Sequence, residues 1–387
     1  MGTNVGKTVL ILGGGVGGLV AANALRKALP KAHRVVLVER EPSFVFAPSL
    51  LWLLTGGRTA EKISRPLARL QKRGVDVVQG EVERIDPVKR EVTVDGQLLT
   101  ADYLVIALGA ELAPETVPGL RESGHNFYTL AGAEAFRDAF ASFVGGRLVV
   151  LTAAPGYKCP AAPYEAVMLL EHASRKRKIR DATRIDLFAA EPGPMGVAGP
   201  EVSKAVRQLI EEKGVIYHPE HVVKEVDVSH RRLKFTNGVD AGFDLLAYVP
   251  PHRAPKVVRE SGLVAESGWV SVDRNTLQTK YSGVYAIGDV VAIPLKLGKP
   301  LPKAGVFAHG EAEVVAQNIA YAITGKGKPA SFDGEGQCFV ETGDGKAGLG
   351  RGNFFAEPTP QVKLHPPGRH WHAAKVLFEK DWLQRRL

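Results

Sequence analysis

The chain has 387 residues of ordinary apolar fraction (45%), two cysteines and a formal net charge of +9. That length exceeds what one hydrophobic core serves, so two or three packed units are expected, and two cysteines exclude the disulfide-stapled scaffold of a small secreted protein. The positive balance suits an acidic membrane surface, an anionic substrate or nucleic acid, but no helix-turn-helix, zinc or aromatic RNA-binding signature accompanies it, so neither nucleic acid nor a metal is an expected partner.

The first element is an apolar, β-branched run, Lys7 to Leu12, followed at once by GGGVGG from Gly13 to Gly18. The run is short and leads straight into a turn, so it is neither a secretory core nor a membrane span, and a cytoplasmic or peripheral-membrane location is expected. A small-residue helix follows, LVAANALRKAL, and then a strand, Arg34 to Val38, ending in Glu39. In such a βαβ unit Gly13 permits the turn, Gly15 lets the backbone approach a pyrophosphate, and Gly18 lets helix and strand pack closely. The helix N-terminus offers free amides to phosphate, and Glu39 stands where a ribose hydroxyl is accepted. Arg40 and Val82 are further cofactor-facing candidates. FAD and NAD remain equally open at this point.

Glu81 to Asp95 reads as a small β-meander, and DYLVIALG, from Asp102 to Gly109, as a buried strand ending in glycine. Arg147 to Leu151 is the first strand of a second unit. Where another glycine-rich loop would follow, the sequence is TAAPGYKCPAAPYEAVMLLEHA, with one glycine, one cysteine and three prolines. Gly156 alone cannot give a pyrophosphate close access, so the nicotinamide site is expected to be lost while the fold is kept. Cys159 falls just before a helix beginning near Pro163, whose orphan amides, with Lys158, favour a thiolate. Dipole effects of about 0.3–2 kcal/mol amount to roughly one pKa unit, so both influences are needed. The basic run Arg175 to Arg180 reads as a solvated helix end.

YAIGD, from Tyr285 to Asp289, is a further apolar run ending in Gly-Asp. In GQCFVETG the alternation of a strand sets Cys338 and Phe339 on opposite faces. Cys159 is the only cysteine that can pair with Cys338, which makes a redox pair the sharper hypothesis, given Cα atoms about 4.4–6.8 Å apart. The tail from His370 to Leu387 sets Trp371, Ala374, Phe378 and Trp382 on one side, with Lys375, Glu379, Arg385 and Arg386 on others. That pattern fits an interfacial helix on a membrane or a helix packed on the rest of the fold; alone it would hold a membrane weakly unless chains associate.

DYLVIALG and YAIGD together resemble the closing motifs of glutathione-reductase-like flavoproteins, over residues 1 to about 325. The resemblance implies FAD, with Gly109 and Asp289 at the cofactor and the aspartate at its ribityl region. It implies an α/β fold of two nested Rossmann-like domains: an FAD domain (1–113 and 266–326) interrupted by a degenerate NAD-type domain (114–265), plus a C-terminal extension (327–387).

KCPAAPYE, PLPKAGVFAHGEA (Pro300 to Ala312), GQCFVETG and HPPGRHWHAAKVLFEKDWL extend the resemblance over nearly the whole chain, to the sulfide:quinone oxidoreductase and flavocytochrome c sulfide dehydrogenase family. What that resemblance implies is a cysteine pair, Cys159 and Cys338, that takes electrons from sulfide or a related sulfur nucleophile and passes them through FAD to membrane quinone. It implies Lys303 and Gly305 beside the pyrimidine end of the flavin, Glu165 as proton acceptor near the thiol, and Phe339 and Phe355 at an apolar quinone slot. The chain departs from the family in three places. HNFYTLAGAEAF has Tyr128 and Thr129 where many relatives carry a third cysteine, with no histidine after it; EPGPMGVAG lacks another family histidine; and FVFAPS lacks the cysteine that binds FAD covalently in flavocytochromes, so the FAD is expected to be non-covalent. The alternatives are a flavocytochrome-type subunit that delivers electrons to cytochrome c, an NADH:quinone reductase, and a non-catalytic persulfide-relay flavoprotein.

Overall fold

The computed structural model describes residues 6–387. Strand β1 (Thr8–Leu12) is fully apolar inward, and helix α1 (Val16–Ala28) begins four residues later, too soon for anything but the glycine turn. β2 (Arg34–Glu39), β3 (Asp76–Gln79) and β4 (Tyr103–Ile106) join β1 in parallel. Such continuous Val/Ile/Leu runs are what a sheet covered on both faces requires. The expected meander is a three-stranded antiparallel sheet over Val82–Asp86, Glu91–Val94 and Gln97–Thr100.

A second parallel sheet then forms from β5 (His125–Asn126), β6 (Gly146–Thr152), β7 (Thr183–Phe188), β8 (Ile216–His218) and β9 (Leu245–Val249), in the order β5-β9-β6-β7-β8. Its helix α2 (Ala162–Lys176) follows β6 and is almost wholly buried through its first three turns. The chain returns to the first sheet with β10 (Val284–Ala286), completing the order β10-β4-β1-β2-β3, and helix α3 (Gly305–Thr324) packs on α1.

The C-terminal region is built into both cores. β11 (Glu335–Gly343), β12 (Lys346–Asn353) and β13 (Gln361–Gly368) form an antiparallel sheet, and helix α4 (Arg369–Arg385) follows. Val340 joins the core under α2, while Trp382, Leu383 and Leu387 join the core of the first sheet. α4 packs inward through Trp382, stacked 5.9 Å from Phe44, and through Glu379, which is paired with Arg58 at 2.8 Å. Lys375 and Glu379, expected on the outward sides, are therefore buried, and Leu377 and Phe378 are the exposed ones. Among the described residues no helix is long and apolar enough to cross a membrane. The basic run is not merely solvated: Arg175 pairs with Glu171 and Asp344, Arg177 donates to the carbonyls of Ala141 and Phe143, and Arg180 to those of Thr183 and Gly214.

Candidate active site

A single cavity of about 2400 Å³ runs from the glycine turn after β1 to the two cysteines. Ordinary small-molecule sites occupy roughly 300–1,000 Å³, so a dinucleotide and further small molecules fit together. At the nucleotide end, Gly13 has φ +103°, and a Cβ there would lie 2.3 Å from the Ala107 carbonyl oxygen. A Cβ on Gly18 would fall 1.8 Å from the Gly13 carbonyl oxygen, so helix and turn can close only on glycine. At Gly15 nothing stands within 4 Å, which leaves the α1 N-terminus open to the cavity. The Glu39 carboxylate accepts the Gly14 N–H at 2.6 Å and tethers the turn to the end of β2. Arg40, Val82, Gly109, Asp289 and Gly305 also border the cavity, whereas Gly18 lies behind it in the packing.

Lys303 sits where the loop before α3 passes the Gly288–Val290 turn. Its Nζ donates to the carbonyls of Asp289 (2.7 Å) and Val291 (2.8 Å) and lies 3.5 Å from the centre of the Trp269 ring. Burial brings its pKa down to about 8. Beside it, Glu311 is buried on α3, accepts the Gly288 N–H at 2.6 Å, and is pushed by burial up to about 8. Trp269 and Glu311 are absent from the sequence-derived set, although Glu311 falls inside the PLPKAGVFAHGEA segment.

Cys159 adopts φ +50°, an uncommon conformation for a side-chain-bearing residue. It is clamped there: its N–H donates to the Lys303 carbonyl (2.7 Å), and its carbonyl accepts the Tyr128 hydroxyl (3.1 Å) and the Ala162 N–H (2.9 Å). Cys338 stands on β11 opposite Gly350. Both are free thiols, both border the cavity, and charge on Cys338 acts on Cys159. The expected thiolate does not result. Burial pushes Cys159 far up and Cys338 up to about 12, because desolvation of a thiolate outweighs what a helix end offers. Lys158 does not offset this; the cation acting on both thiols is Lys375.

Glu165, buried in the first turn of α2, uses one carboxylate oxygen for the Glu341 N–H (2.8 Å) and the Lys375 ammonium (2.8 Å). Phe339 borders the cavity with Phe378, ring centres 6.2 Å apart, and with Trp382. Phe355 does not border it. It packs 5.4 Å from Phe332 and under the Arg274 guanidinium, and its neighbour Phe354 faces the cavity instead.

In the second unit, Glu191 follows the end of β7, where an acid would meet a nicotinamide ribose. It is consumed internally, accepting the hydroxyls of Tyr157, Tyr164 (2.7 Å) and Thr152 (2.9 Å). All three partners come from the segment that stands where the glycine loop would be.

A dinucleotide turn, a second Rossmann-like unit without its phosphate loop and a cysteine pair at one cavity define a flavin-type thiol oxidoreductase. Residues 7–312 match the family model described as pyridine nucleotide-disulphide oxidoreductase. The chain is 30% identical to the sulfide-quinone reductase of Aquifex aeolicus, over 97% of this chain and 90% of that one. It is 27% identical to the mitochondrial sulfide:quinone oxidoreductase of Mus musculus, over 90% of this chain and 79% of the relative. The X-ray structure of the Aquifex aeolicus sulfide:quinone oxidoreductase superposes with a TM-score of 0.89 at 28% identity, covering 98% of this chain and 91% of that one. The chain therefore belongs to the pyridine nucleotide-disulphide oxidoreductase family and, within it, to the sulfide:quinone oxidoreductases.

Proposed function

We propose that the protein oxidises sulfide through a Cys159–Cys338 disulfide and delivers the electron pair, by way of non-covalent FAD, to quinone. The observation that carries this is the meeting of the chain's only two cysteines at the cavity that begins at the dinucleotide turn. The residues present fit FAD: the open α1 N-terminus for its pyrophosphate, Glu39 for its ribose, Asp289 for its ribityl region, and Lys303 and Gly305 toward its ring system. When bound, the flavin would supply the redox centre that takes the electron pair from the cysteines and passes it on to quinone.

The protein's own residues arrange the sulfur chemistry. Hydrosulfide attacks one sulfur of the disulfide, leaving a persulfide on that cysteine and a thiolate on the other. Lys375 is the buried cation that meets the new negative charge, and Glu165 holds Lys375 in place. Lys303 has spent two of its three N–H donors on backbone carbonyls, which fixes its amine and leaves one donor uncommitted. The slot of Phe339, Phe378 and Trp382 offers apolar surface to a quinone ring, and exposed Leu377 and Phe378 on α4 favour peripheral contact with a membrane.

Sulfide-dependent reduction of a soluble ubiquinone analogue, run beside cytochrome c as the competing acceptor, tests the reading; faster turnover with cytochrome c would move the protein to the flavocytochrome alternative. Acid precipitation should release all the FAD into the supernatant, since the Phe44–Ser49 segment has no cysteine to retain it.

A further inference from the structure

The Lys303 ammonium sits in a cage whose walls belong to one hydrogen-bonded unit. The carbonyls of Asp289 and Val291 accept two of its N–H groups at 2.7 and 2.8 Å, and the centre of the Trp269 ring lies 3.5 Å from Nζ. Val270, next to Trp269, donates to the Val290 carbonyl (3.1 Å) and accepts the Ala292 N–H (3.1 Å), which ties the indole to the segment that supplies the carbonyls. Trp269 also closes a tight turn by accepting the Ala265 N–H at 2.9 Å. Lys303 borders the cavity and Trp269 does not, so the indole backs the ammonium from the protein side. Burial works against the charge, while Asp289 and Glu311 favour it through their own charges; His252 lies within the field of Lys303 and is pushed by burial down to about 4. The indole acts on top of these. Attraction between a desolvated cation and a tryptophan face is worth roughly a tenfold or larger preference for the charged form, or about one pH unit of lysine titration.

We propose that Trp269 is a positioning residue for the flavin: it holds the Lys303 amine charged and in place, so that a fixed cation meets the negative charge that reduction puts on the pyrimidine end of the ring. The inference rests on the placement of Lys303 beside the flavin proposed above and on no step of the sulfide chemistry. Two electrons and one proton taken up by the ring leave it with one negative charge, which the ammonium offsets. Where the amine is neutral beforehand, it takes a proton from water as the ring is reduced, so reduction then consumes two protons. Trp269 sets the pH at which the first regime gives way to the second, because the indole attracts the ammonium and not the amine.

Potentiometric titration of the flavin-loaded protein from about pH 6 to about pH 10, with dithionite as reductant and neither sulfide nor quinone present, tests this. The wild-type midpoint potential plotted against pH should steepen at about pH 8, where Lys303 loses its proton in the oxidised protein. In Trp269→Leu the steepening should move down by about one pH unit, so the equilibrium constant for reduction should match the wild type at about pH 6 and be about tenfold lower at about pH 9. Trp269→Phe should fall between the two, and Lys303→Met should lower the constant at both pH values and remove the steepening. A Trp269→Leu curve that superimposes on the wild type overturns the proposal, as does a loss of the same size at both pH values, which is what a merely structural role gives. A wild-type line that does not steepen overturns it even if the variants do not fold. A protein that meets these expectations but is not bleached by sulfide loses the sulfide reading and keeps the role of Trp269.

Discussion

Replacing Lys375 by Met removes the one cation between the thiols and two buried carboxylates. The pair it forms with Glu165 is 4% and 3% exposed, so solvent screens it little. Removing one partner of such a pair costs about 3–5 kcal/mol, because the other charge stays buried without compensation. Glu165→Gln leaves the ammonium facing Glu341 and should cost less, and the double variant should be more stable than the sum of the two losses, with a coupling of about 2 kcal/mol or more. Burial alone would lower the Lys375 pKa, but Glu165 and Glu341 outweigh it and hold it above its ordinary value. The pair's contribution is therefore complete below the unfolded lysine pKa of about 10.4 and fades as pH rises through the higher folded value. Urea unfolding followed by tryptophan fluorescence reads the effect, since Trp52 lies against Lys375. A Lys375→Met midpoint equivalent to less than about 0.5 kcal/mol of loss, or strict additivity in the double variant, would refute the reasoning.

Three further outcomes follow from the same geometry. NADH should leave the flavin colour unchanged in stopped-flow mixing, and Tyr157→Phe with Tyr164→Phe should not alter that, because freeing Glu191 does not restore a phosphate loop. Phe339→Ala should raise KM for a quinone analogue roughly tenfold, the factor that about 1.4 kcal/mol of lost contact gives, whereas Phe355→Ala should leave KM alone and lower stability by opening the Phe332 packing. Asp186 is disfavoured as an anion by burial, but His218, Arg147 and Arg184 overcome this and hold its pKa well below the ordinary value. Its stabilisation is complete above the unfolded value of about 3.9 and is lost as pH falls toward the folded one, so Asp186→Asn should flatten stability against pH below about pH 4, measured by urea midpoints.

The nucleotide end was legible in the sequence because local chemistry decides it. A turn that tolerates no Cβ at Gly13 and Gly18 announces itself wherever it occurs, and the failed second loop is as visible as the intact first one. Cys159 and Cys338 were legible as residues, but their ionisation was not: the helix-end argument weighs a local attraction, while the thiol responds to burial contributed by β11 and α4, far along the chain. Helix register misled the reading of α4. Lys375, Glu379 and Trp382 are spaced i, i+4, i+7 and share the buried face, yet charge alone had set the first two outward. Glu311 and Glu191 show the same limit, since an acid's role depends on which amide or hydroxyl the tertiary fold brings to it. At Phe354 and Phe355 one residue of register decided which ring meets the cavity.

The central claim is that electrons from sulfide reach the flavin only through Cys159 and Cys338. Anaerobic stopped-flow mixing of sulfide with the wild type, Cys159→Ser and Cys338→Ser tests it most directly, with flavin absorbance as the readout. The account predicts rapid bleaching of the wild type and persistent yellow colour in both variants, each still carrying its FAD. Bleaching of either variant at the wild-type rate would contradict it.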